Sequence, residues 1–283
     1  MATQSAPERR IGLLERTDCR IHYEVTGAGP ALLFLHGLGG NQLSWWQQVA
    51  HFAPTHTCIT FAARGFAPSS PIPGGPDPAE FAGDIAALLD QLGFDSAVLV
   101  AQSMGGWGAV EFTLAHPGRV GALVLAATTG TLDFNAMGEL ERSRLAGWQE
   151  ASTRAVQACI DRHIHVACGI RMAAEQPSLH LLYKHIDEMN AALEKNALRE
   201  RLGHTRRRQP SDLAMAGCPI LLISGDEDIV IPPFAADAIA RVVPRARAAH
   251  IADAGHSAYF ERAQVFNTLV EQFLSDPIRT VRC

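Results

Sequence analysis

The amino-acid sequence predicts an α/β fold with a mostly parallel central sheet, helices on both faces of the sheet and a helical insert. The first observation is that short, continuous apolar runs alternate along the chain with helical patterns. Strands that are buried on both faces give such runs, and they belong to parallel sheets covered by helices. The second observation is a long internal stretch, from about residue 131 to 213, that contains helical patterns and no convincing strand.

The strand predictions follow from apolar runs that end in turn residues. A helical pattern follows the second run, with apolar side chains at helical spacing from Phe81 to Leu92 and an end at Gly93. The runs predicted to be buried strands are Ala31–Leu35, Thr57–Phe61, Ala97–Ala101, Ala122–Ala127 and Pro219–Ile223.

Composition narrows the class of protein. The 283 residues suit one large α/β domain or a core with a smaller insert, and 47% of them are hydrophobic. The net charge of -5 and the lack of a basic face argue against nucleic acid as a partner. The one basic run, Arg206–Arg208, is interpreted as the solvated end of a loop, with a binding patch as the alternative.

The cysteines and the apolar runs predict the cellular compartment of the protein. The six cysteines are scattered without a C-x-x-C pair, and Cys58 is expected in the core, which favours a reducing cytoplasm. The first 14 residues have no apolar signal core, and no apolar run is long enough to span a bilayer. We therefore expect a cytoplasmic protein without a membrane partner. The sequence does not indicate the oligomeric state.

The domain prediction divides the chain into a discontinuous core and an insert. Residues 1–130 and 214–283 are assigned to the α/β core, and residues 131–213 to a helical cap over a pocket. Helical patterns cover Ala155–Cys168 and Ser178–Leu198. The alternative is that the insert only adds helix packing to the core.

The strongest chemical motif is a serine between a predicted strand and a predicted helix. The segment Val98–Gly106 runs from a buried strand through Ser103 into a helical pattern. A nucleophilic serine on such a tight turn needs small neighbours two positions before and after it, and these are Ala101 and Gly105. The alternative is an ordinary helix N-cap serine.

A glycine-rich segment after the first clear core strand supports the nucleophile. His36–Gly40 can turn the backbone so that an N–H group points at the site. An oxyanion hole needs two such donors, and the backbone N–H groups of Leu38 and Met104 are the candidates. A plain glycine-rich turn is the alternative.

A candidate acid and a candidate base follow later in the chain. Asp226 and Asp228 lie in a loop after the strand at Pro219–Ile223, and His256 lies in a loop before the last helical pattern. His256 would take the serine proton, and the carboxylate would hold the imidazole tautomer. His250 is the structural alternative near a strand. His163 and His165, two apart on a predicted helix, face different ways, so no metal site is predicted.

Together these motifs resemble the cap-bearing α/β-hydrolases, which include esterases, lactonases, enol-lactonases, C–C bond hydrolases and cofactor-free haloperoxidase relatives. The resemblance runs from about Ile21 to Leu274, and in this family the acid is usually the third residue after the glycine, here Asp228. It implies the α/β-hydrolase fold and a Ser103–His256–Asp228 triad. The motifs that carry it are His36–Gly40, Ala101–Gly106, Gly225–Pro232 and Ala254–Glu261.

The sequence departs from the family pattern at three places, the first in a loop whose role stays open and the other two bearing on the type of reaction. The segment Ala62–Ser69 lacks the aspartate that usually accompanies its arginine, which leaves Arg64 without its customary neighbour. Gln102 and Ser257 stand where C–C bond hydrolases usually have asparagine and tryptophan. Leu38-Gly39 does not match the aromatic residue and proline of the haloperoxidase relatives.

The function predicted from the sequence is a cofactor-free serine hydrolase of a small, partly apolar ester or lactone. The alternatives are a C–C bond hydrolase of a meta-cleavage-type diketone and a ligand-binding receptor with slow or no turnover. Six side chains are candidates for the substrate pocket or, equally, for ordinary core: Trp45, Trp107, Phe134, Trp148, Ile229 and Tyr259.

Overall fold

The computed structural model describes residues 7–276, apart from the side chains of Asn135 and Met137. The outer ends of the predicted core, including Cys283, lie outside the described residues. Within them, no helix is long and apolar enough to cross a membrane. The described cysteines, Cys58 among them, are buried and not bonded to one another.

A single eight-stranded sheet forms the centre of the protein, in the order β1-β2-β4-β3-β5-β6-β7-β8. Strand β2 pairs antiparallel with β1 and β4, and the other pairings are parallel. The predicted fold class is therefore confirmed. The strands are β1 Arg9–Glu15, β2 Arg20–Thr26, β3 Ala31–Leu35, β4 Thr57–Phe61, β5 Ala97–Gln102, β6 Val120–Ala126, β7 Ile220–Gly225 and β8 Ala246–Ile251.

Three strands, β1, β2 and β8, were not predicted from the sequence. The predicted strands β3, β4, β5 and β7 are buried along their whole length, whereas these three mix buried and exposed positions. Strands β1 and β8 are the two edges of the sheet. An edge strand covered on one side needs no continuous apolar run, so apolar content alone does not reveal it.

Helices cover both faces of the sheet. Leu33 and Leu35 of β3 pack in one core cluster with α2, α3 and α8, and Leu32 and Phe34 pack in another with α1 and α10. The helices of the core are α1 Trp46–Phe52, α2 Phe81–Leu92, α3 Gly105–Ala115, α8 Ala235–Val242, α9 Ala258–Glu261 and α10 Ala263–Ser275.

The insert between β6 and β7 is helical, as predicted. Within residues 131–213 only an isolated bridge between Leu132 and Arg208 resembles sheet pairing. The predicted helices are interrupted: a turn separates α4 from α5, so His163 and His165 do not lie on a helix and that prediction was wrong. The helices of the insert are α4 Glu139–Asp161, α5 Gly169–Glu175, α6 Pro177–Glu188 and α7 Lys195–His204.

A buried ion pair joins the loop after β4 to helix α2. The Arg64 side chain is 2% exposed and donates to both carboxylate oxygens of Asp84 at 2.7 Å and to Asp18 at 2.9 Å. Arg64 thus has carboxylate partners, although the aspartate of the family motif is absent. Its hydrogen bonds to Asp84 raise the pKa of the guanidinium. The contact anchors the Ala62–Ser69 segment against the core.

We predict that Asp84→Ala lowers the free energy of unfolding by about 3 kcal/mol or more, because it leaves the buried Arg64 charge poorly compensated. Asp90→Ala, on the same helix, is the matched control. Its carboxylate is 65% exposed and pairs with Arg119, so the loss should stay below about 1 kcal/mol. Urea unfolding of both variants measures the difference, and equal losses would contradict the prediction.

Candidate active site

Ser103 lies on a strained turn between β5 and α3. Its φ is +48°, in the left-handed region that side chains other than glycine avoid, and its N–H donates to the carbonyl of Ala126 at 3.1 Å. Such a turn holds a side chain out above the end of the strand. The local geometry therefore matches the sequence prediction of a strand–serine–helix turn.

The tightness of this turn explains the small residues around Ser103. A Cβ atom added to Gly105 would lie 2.4 Å from the carbonyl oxygen of Leu35, at the end of β3. Ala101, which replaces the usual glycine two positions before the serine, is completely buried in the sheet. Alanine fits there, and glycine is required at 105 because the backbone of β3 approaches directly.

The glycine-rich loop after β3 packs against the same turn. A Cβ atom on Gly37 would come within 2.0 Å of Gln102 Oε1 and 3.1 Å of Ser103 Cβ. Leu38 and Met104 line the same cavity as Ser103. Among the described residues, no backbone carbonyl accepts a hydrogen bond from either amide. Both N–H groups are therefore free to bind an oxygen atom of a ligand.

His36 holds this loop in place. Its Nδ1 donates to the Gly37 carbonyl at 2.7 Å, and its Nε2 accepts from the Ala63 N–H at 2.9 Å, which requires the neutral ring. Complete burial lowers the pKa of His36 to about 4, so the ring stays neutral near pH 7. The loop after β3 is thereby linked to the loop after β4.

The structure brings His256 to Asp228. The His256 Nδ1 lies 2.9 Å from Asp228 Oδ2, and both side chains are almost completely buried. The other carboxylate oxygen, Asp228 Oδ1, accepts from the N–H groups of Val230 at 2.7 Å and Ile231 at 2.9 Å. These contacts orient the carboxylate, which in turn orients the imidazole.

Asp226 occupies a different environment from Asp228. Its side chain is 52% exposed, and it lies 3.4 Å from the Nδ1 of His250. His250 is in β8, as expected, and its other ring nitrogen is 3.0 Å from Asp237. Of the two aspartates in this loop, only Asp228 contacts His256.

Two further side chains hold the backbone around His256. Gln102 Nε2 donates to the His256 carbonyl at 3.2 Å, which links the loop to the residue before Ser103. Glu261 Oε1 accepts from the Gly255 N–H at 2.5 Å. Burial raises the pKa of the Glu261 carboxyl to about 7, and the Gly255 N–H opposes that shift. Neither residue was predicted to support the site.

A cavity of about 640 Å³ opens over this group of residues. Ser103, His256, Leu38 and Met104 all line it, together with side chains from the insert. The lining residues contributed by the insert are Val156, Ile160, His165, Val166, Ala167, Tyr183, Asp187, Lys195, Arg199, Leu202, Gly203 and Arg206.

The six predicted pocket residues divide into two groups. Trp107 and Ile229 line the cavity. Trp45 and Tyr259 do not: their ring centroids lie 4.5 Å apart within the buried core. Phe134, which lies 5.7 Å from Phe234, and Trp148 are also not among the lining residues. An aromatic residue alone does not reveal in the sequence whether it faces the core or a cavity.

The interpretation of Arg206–Arg208 as a solvated loop end was wrong for one of the three residues. Arg206 lines the cavity, whereas Arg207 is exposed and Arg208 pairs with Glu111 at 2.6 Å. The charged lining residues of the insert could not be assigned from helical periodicity, because the packing of the insert on the core decides which side faces inward.

Among residues 7–276, no group of three or more His, Cys, Asp or Glu side chains is arranged to hold a metal ion.

Comparison with known proteins shows the family. The sequence profile described as the alpha/beta hydrolase fold matches residues 30–263. The chain belongs to the α/β-hydrolase family.

The relatives carry different activities in their names. The chain is 30% identical over 259 residues to the dihydrolipoyllysine-residue acetyltransferase component of the acetoin cleaving system of Cupriavidus necator, covering 90% of this chain and 66% of that protein. It is 29% identical to a 2-hydroxy-6-oxononadienedioate/2-hydroxy-6-oxononatrienedioate hydrolase of Burkholderia vietnamiensis, covering 96% of this chain and 97% of that protein. A solved thermophilic esterase of Thermogutta terrifontis aligns with a TM-score of 0.73 and 25% identity over 94% of this chain and 98% of the esterase.

We predict that Glu261→Gln changes the pH dependence of stability. A carboxyl group whose pKa is raised by folding binds a proton more tightly in the native state, so it destabilises the native state as the pH rises from about 4.5 to about 7. Glutamine keeps an acceptor for the Gly255 N–H and removes the ionisation. The unfolding free energy of the wild type should therefore fall relative to the variant by roughly 1–3 kcal/mol between pH 5 and pH 8.

Urea unfolding at several pH values gives the unfolding free energies of the wild type and the variant. Their difference at each pH cancels the contributions of the titratable groups that both proteins share. Glu188→Gln, at an exposed position on α6, is the control. Its unfolding free energy should follow that of the wild type within about 0.5 kcal/mol over the same pH range. If the difference in unfolding free energy between the wild type and Glu261→Gln stayed constant from pH 5 to pH 8, burial would not raise the pKa of the Glu261 carboxyl.

Proposed function

We propose that the protein is a serine hydrolase that cleaves a small, partly apolar carboxylic ester or lactone. The observation that carries this proposal is the shared cavity: Ser103, on its strained turn, and His256, held by the buried Asp228, both line it. The family and the esterase among the solved structures support hydrolysis.

In the proposed reaction, His256 Nε2 takes the proton of the Ser103 hydroxyl while the serine oxygen attacks the substrate carbonyl carbon. Asp228 holds the Nδ1–H tautomer and stabilises the imidazolium. His256 then protonates the leaving alcohol, and an acyl-enzyme remains. Water, activated by the same imidazole, attacks the acyl carbonyl and releases the acid and the free serine. The reaction needs no cofactor.

The amides of Leu38 and Met104 are the proposed oxyanion hole. Neither N–H group has a backbone acceptor within residues 7–276, and both residues line the same cavity as Ser103. Met104 directly precedes α3, so the positive end of that helix also favours negative charge there. Two fixed donors stabilise the tetrahedral intermediate more than they stabilise the neutral carbonyl of the substrate.

The proposed role of the insert, residues 131–213, is that of a cap. Apolar side chains of α4, including Val156 and Ile160, face the cavity together with Tyr183 of α6. Such a lid excludes water from the reacting bond and gives the pocket its shape. The same residues would then determine which acyl or alcohol groups fit.

A C–C bond hydrolase remains the second candidate. The 29% identity with the hydrolase of Burkholderia vietnamiensis, over nearly the whole of both proteins, favours it. The two reactions share the nucleophile and the base, so only the substrate distinguishes them. Turnover rates of a meta-cleavage-type diketone and of short esters, measured on the same preparation, show which reaction the enzyme prefers.

We predict that Ser103→Ala folds normally and loses ester turnover by about 10⁴-fold or more, since the members of a triad act as a unit. Release of 4-nitrophenol from a short-chain ester, beyond one equivalent, measures turnover. Ser143→Ala, at an exposed serine of α4, is the control and should match the wild type. Near-normal activity in folded Ser103→Ala would overturn the nucleophile assignment.

A second pair of variants tests the acid. Asp228→Asn keeps the shape of the side chain but can stabilise the wrong tautomer of His256, so kcat/KM should fall by about 10⁴-fold. Asp226→Asn is the matched control on the same loop and should stay within about tenfold, because Asp226 contacts His250 instead. The reverse order of the two losses would assign the acid to Asp226.

A further inference from the structure

Arg206 extends into the cavity beside the helix that follows Ser103. Its Cζ lies 4.9 Å from the centroid of the Trp107 ring, in a cation–π contact. Trp107 is four residues after Ser103, and its Nε1 donates to the Leu202 carbonyl and to the Thr205 hydroxyl, both at 3.0 Å. Two hydrogen bonds to the insert thus hold the ring, and the Arg206 guanidinium lies over it.

Within residues 7–276, the guanidinium of Arg206 has no hydrogen-bond acceptor. Its Nε is buried without a hydrogen-bond partner, and no hydrogen bond or ion pair among residues 7–276 includes this side chain. Burial lowers the pKa of the guanidinium, and the Asp133 carboxylate acts from a distance in the opposite direction. Arg206 as a whole is half-buried, but its Nε is buried, and a buried charged donor without an acceptor is costly, so its presence needs an explanation.

The other charges that line the cavity are either paired or exposed to solvent. Lys195 Nζ lies 2.6 Å from Asp187 Oδ1, so these two charges compensate each other. Arg199 is exposed, and its Nη1 donates to Asn196 Oδ1 at 2.6 Å. Asp187 is the only carboxylate among the lining residues of the described chain. With Lys195 and Asp187 paired, Arg199 and Arg206 remain as lining cations without a carboxylate among the lining residues, and Arg206 is the less exposed of the two. The cavity is therefore positive, although the protein as a whole carries a net charge of -5.

We propose that Arg206 binds a free carboxylate of the substrate, so that the natural substrate is an acidic ester or lactone. The Cζ of Arg206 lies over the Trp107 ring, and its N–H groups, without an acceptor among residues 7–276, can donate to a carboxylate. Planar guanidinium and carboxylate groups pair through two parallel hydrogen bonds, which a buried Nε and a neighbouring Nη can supply. This inference rests on the proposed hydrolase function and specifies its substrate class.

The position of Trp107 relates the anion site to the reacting bond. Ser103 and Trp107 are separated by about one helical turn, roughly 6 Å along the chain, and both line the same cavity. A substrate held by Arg206 would therefore carry its carboxylate a few bonds from the carbonyl that Ser103 attacks. A half-ester of a short dicarboxylic acid has this arrangement.

The test compares an acidic ester with its neutral analogue. Mono-4-nitrophenyl adipate carries a free carboxylate, and 4-nitrophenyl methyl adipate has the same chain with that carboxylate methylated. Release of 4-nitrophenol gives kcat/KM for both. We expect the wild type to prefer the acidic ester by about tenfold or more, as one charge-assisted contact predicts.

Arg206→Met keeps the length and apolar stem of the side chain and removes the charge. The ratio of kcat/KM for the acidic over the neutral ester should fall by about 10–100-fold. Arg206→Lys keeps the charge without the planar edge and should lose part of the ratio. Arg207→Met, at the exposed neighbour outside the cavity, is the control and should keep the wild-type ratio.

Equal losses with both esters in Arg206→Met would mean that Arg206 only supports the structure, and the proposal would fail. A wild type without preference for the acidic ester would also overturn it, and this measurement needs no variant. If the wild type turned over neither ester, the hydrolase function would fail instead. Calorimetric binding of adipate to the wild type, lost in Arg206→Met, would then still support the anion site.

Discussion

The close approach of the turn after β5 to the end of β3 is the constraint on which the site depends. Gly105 fits against the backbone carbonyl of Leu35 only without a Cβ atom, and Gly37 approaches the side chains of Gln102 and Ser103 from the loop after β3. Ser103 adopts its positive φ at this turn, and Leu38 and Met104 line the same cavity as Ser103. The strain at Ser103 is tolerated because buried strands on both sides determine the path of the backbone.

The loops on either side of this contact are held by buried polar groups. His36 connects the loops after β3 and β4, and it can do so only as a neutral ring. Gln102 and Glu261 hold the backbone on the two sides of His256, whose ring is held by Asp228. Because these groups are buried, breaking one of their hydrogen bonds would leave an unpaired polar group in the interior and destabilise the fold. The loops therefore keep a defined geometry.

The helical insert forms one side of the cavity and contributes the charged side chains that line it. The core contributes Ser103, His256 and mostly apolar surface to the cavity, whereas the insert contributes the Lys195–Asp187 pair, Arg199, and Arg206, whose Nε has no partner among the described residues. The positive charge lies in the cavity of a protein with a net charge of -5, so the local arrangement and not the overall charge sets the electrostatics of the site. Relatives with the same core can therefore differ in substrate through the insert.

The sequence by itself determined the fold class, the continuously buried strands and the motifs around Ser103, Asp228 and His256. Those features are local: apolar runs, small residues beside a serine and a carboxylate after a strand are visible within a few positions. The edge strands β1 and β8, the core position of Trp45 and Tyr259, and the inward direction of Arg206 were decided by the tertiary structure. The residues next to an aromatic or charged side chain in the sequence do not show which surface it will face, because distant parts of the chain form that surface. Arg206, for example, contacts Trp107, which lies more than 90 residues earlier in the chain.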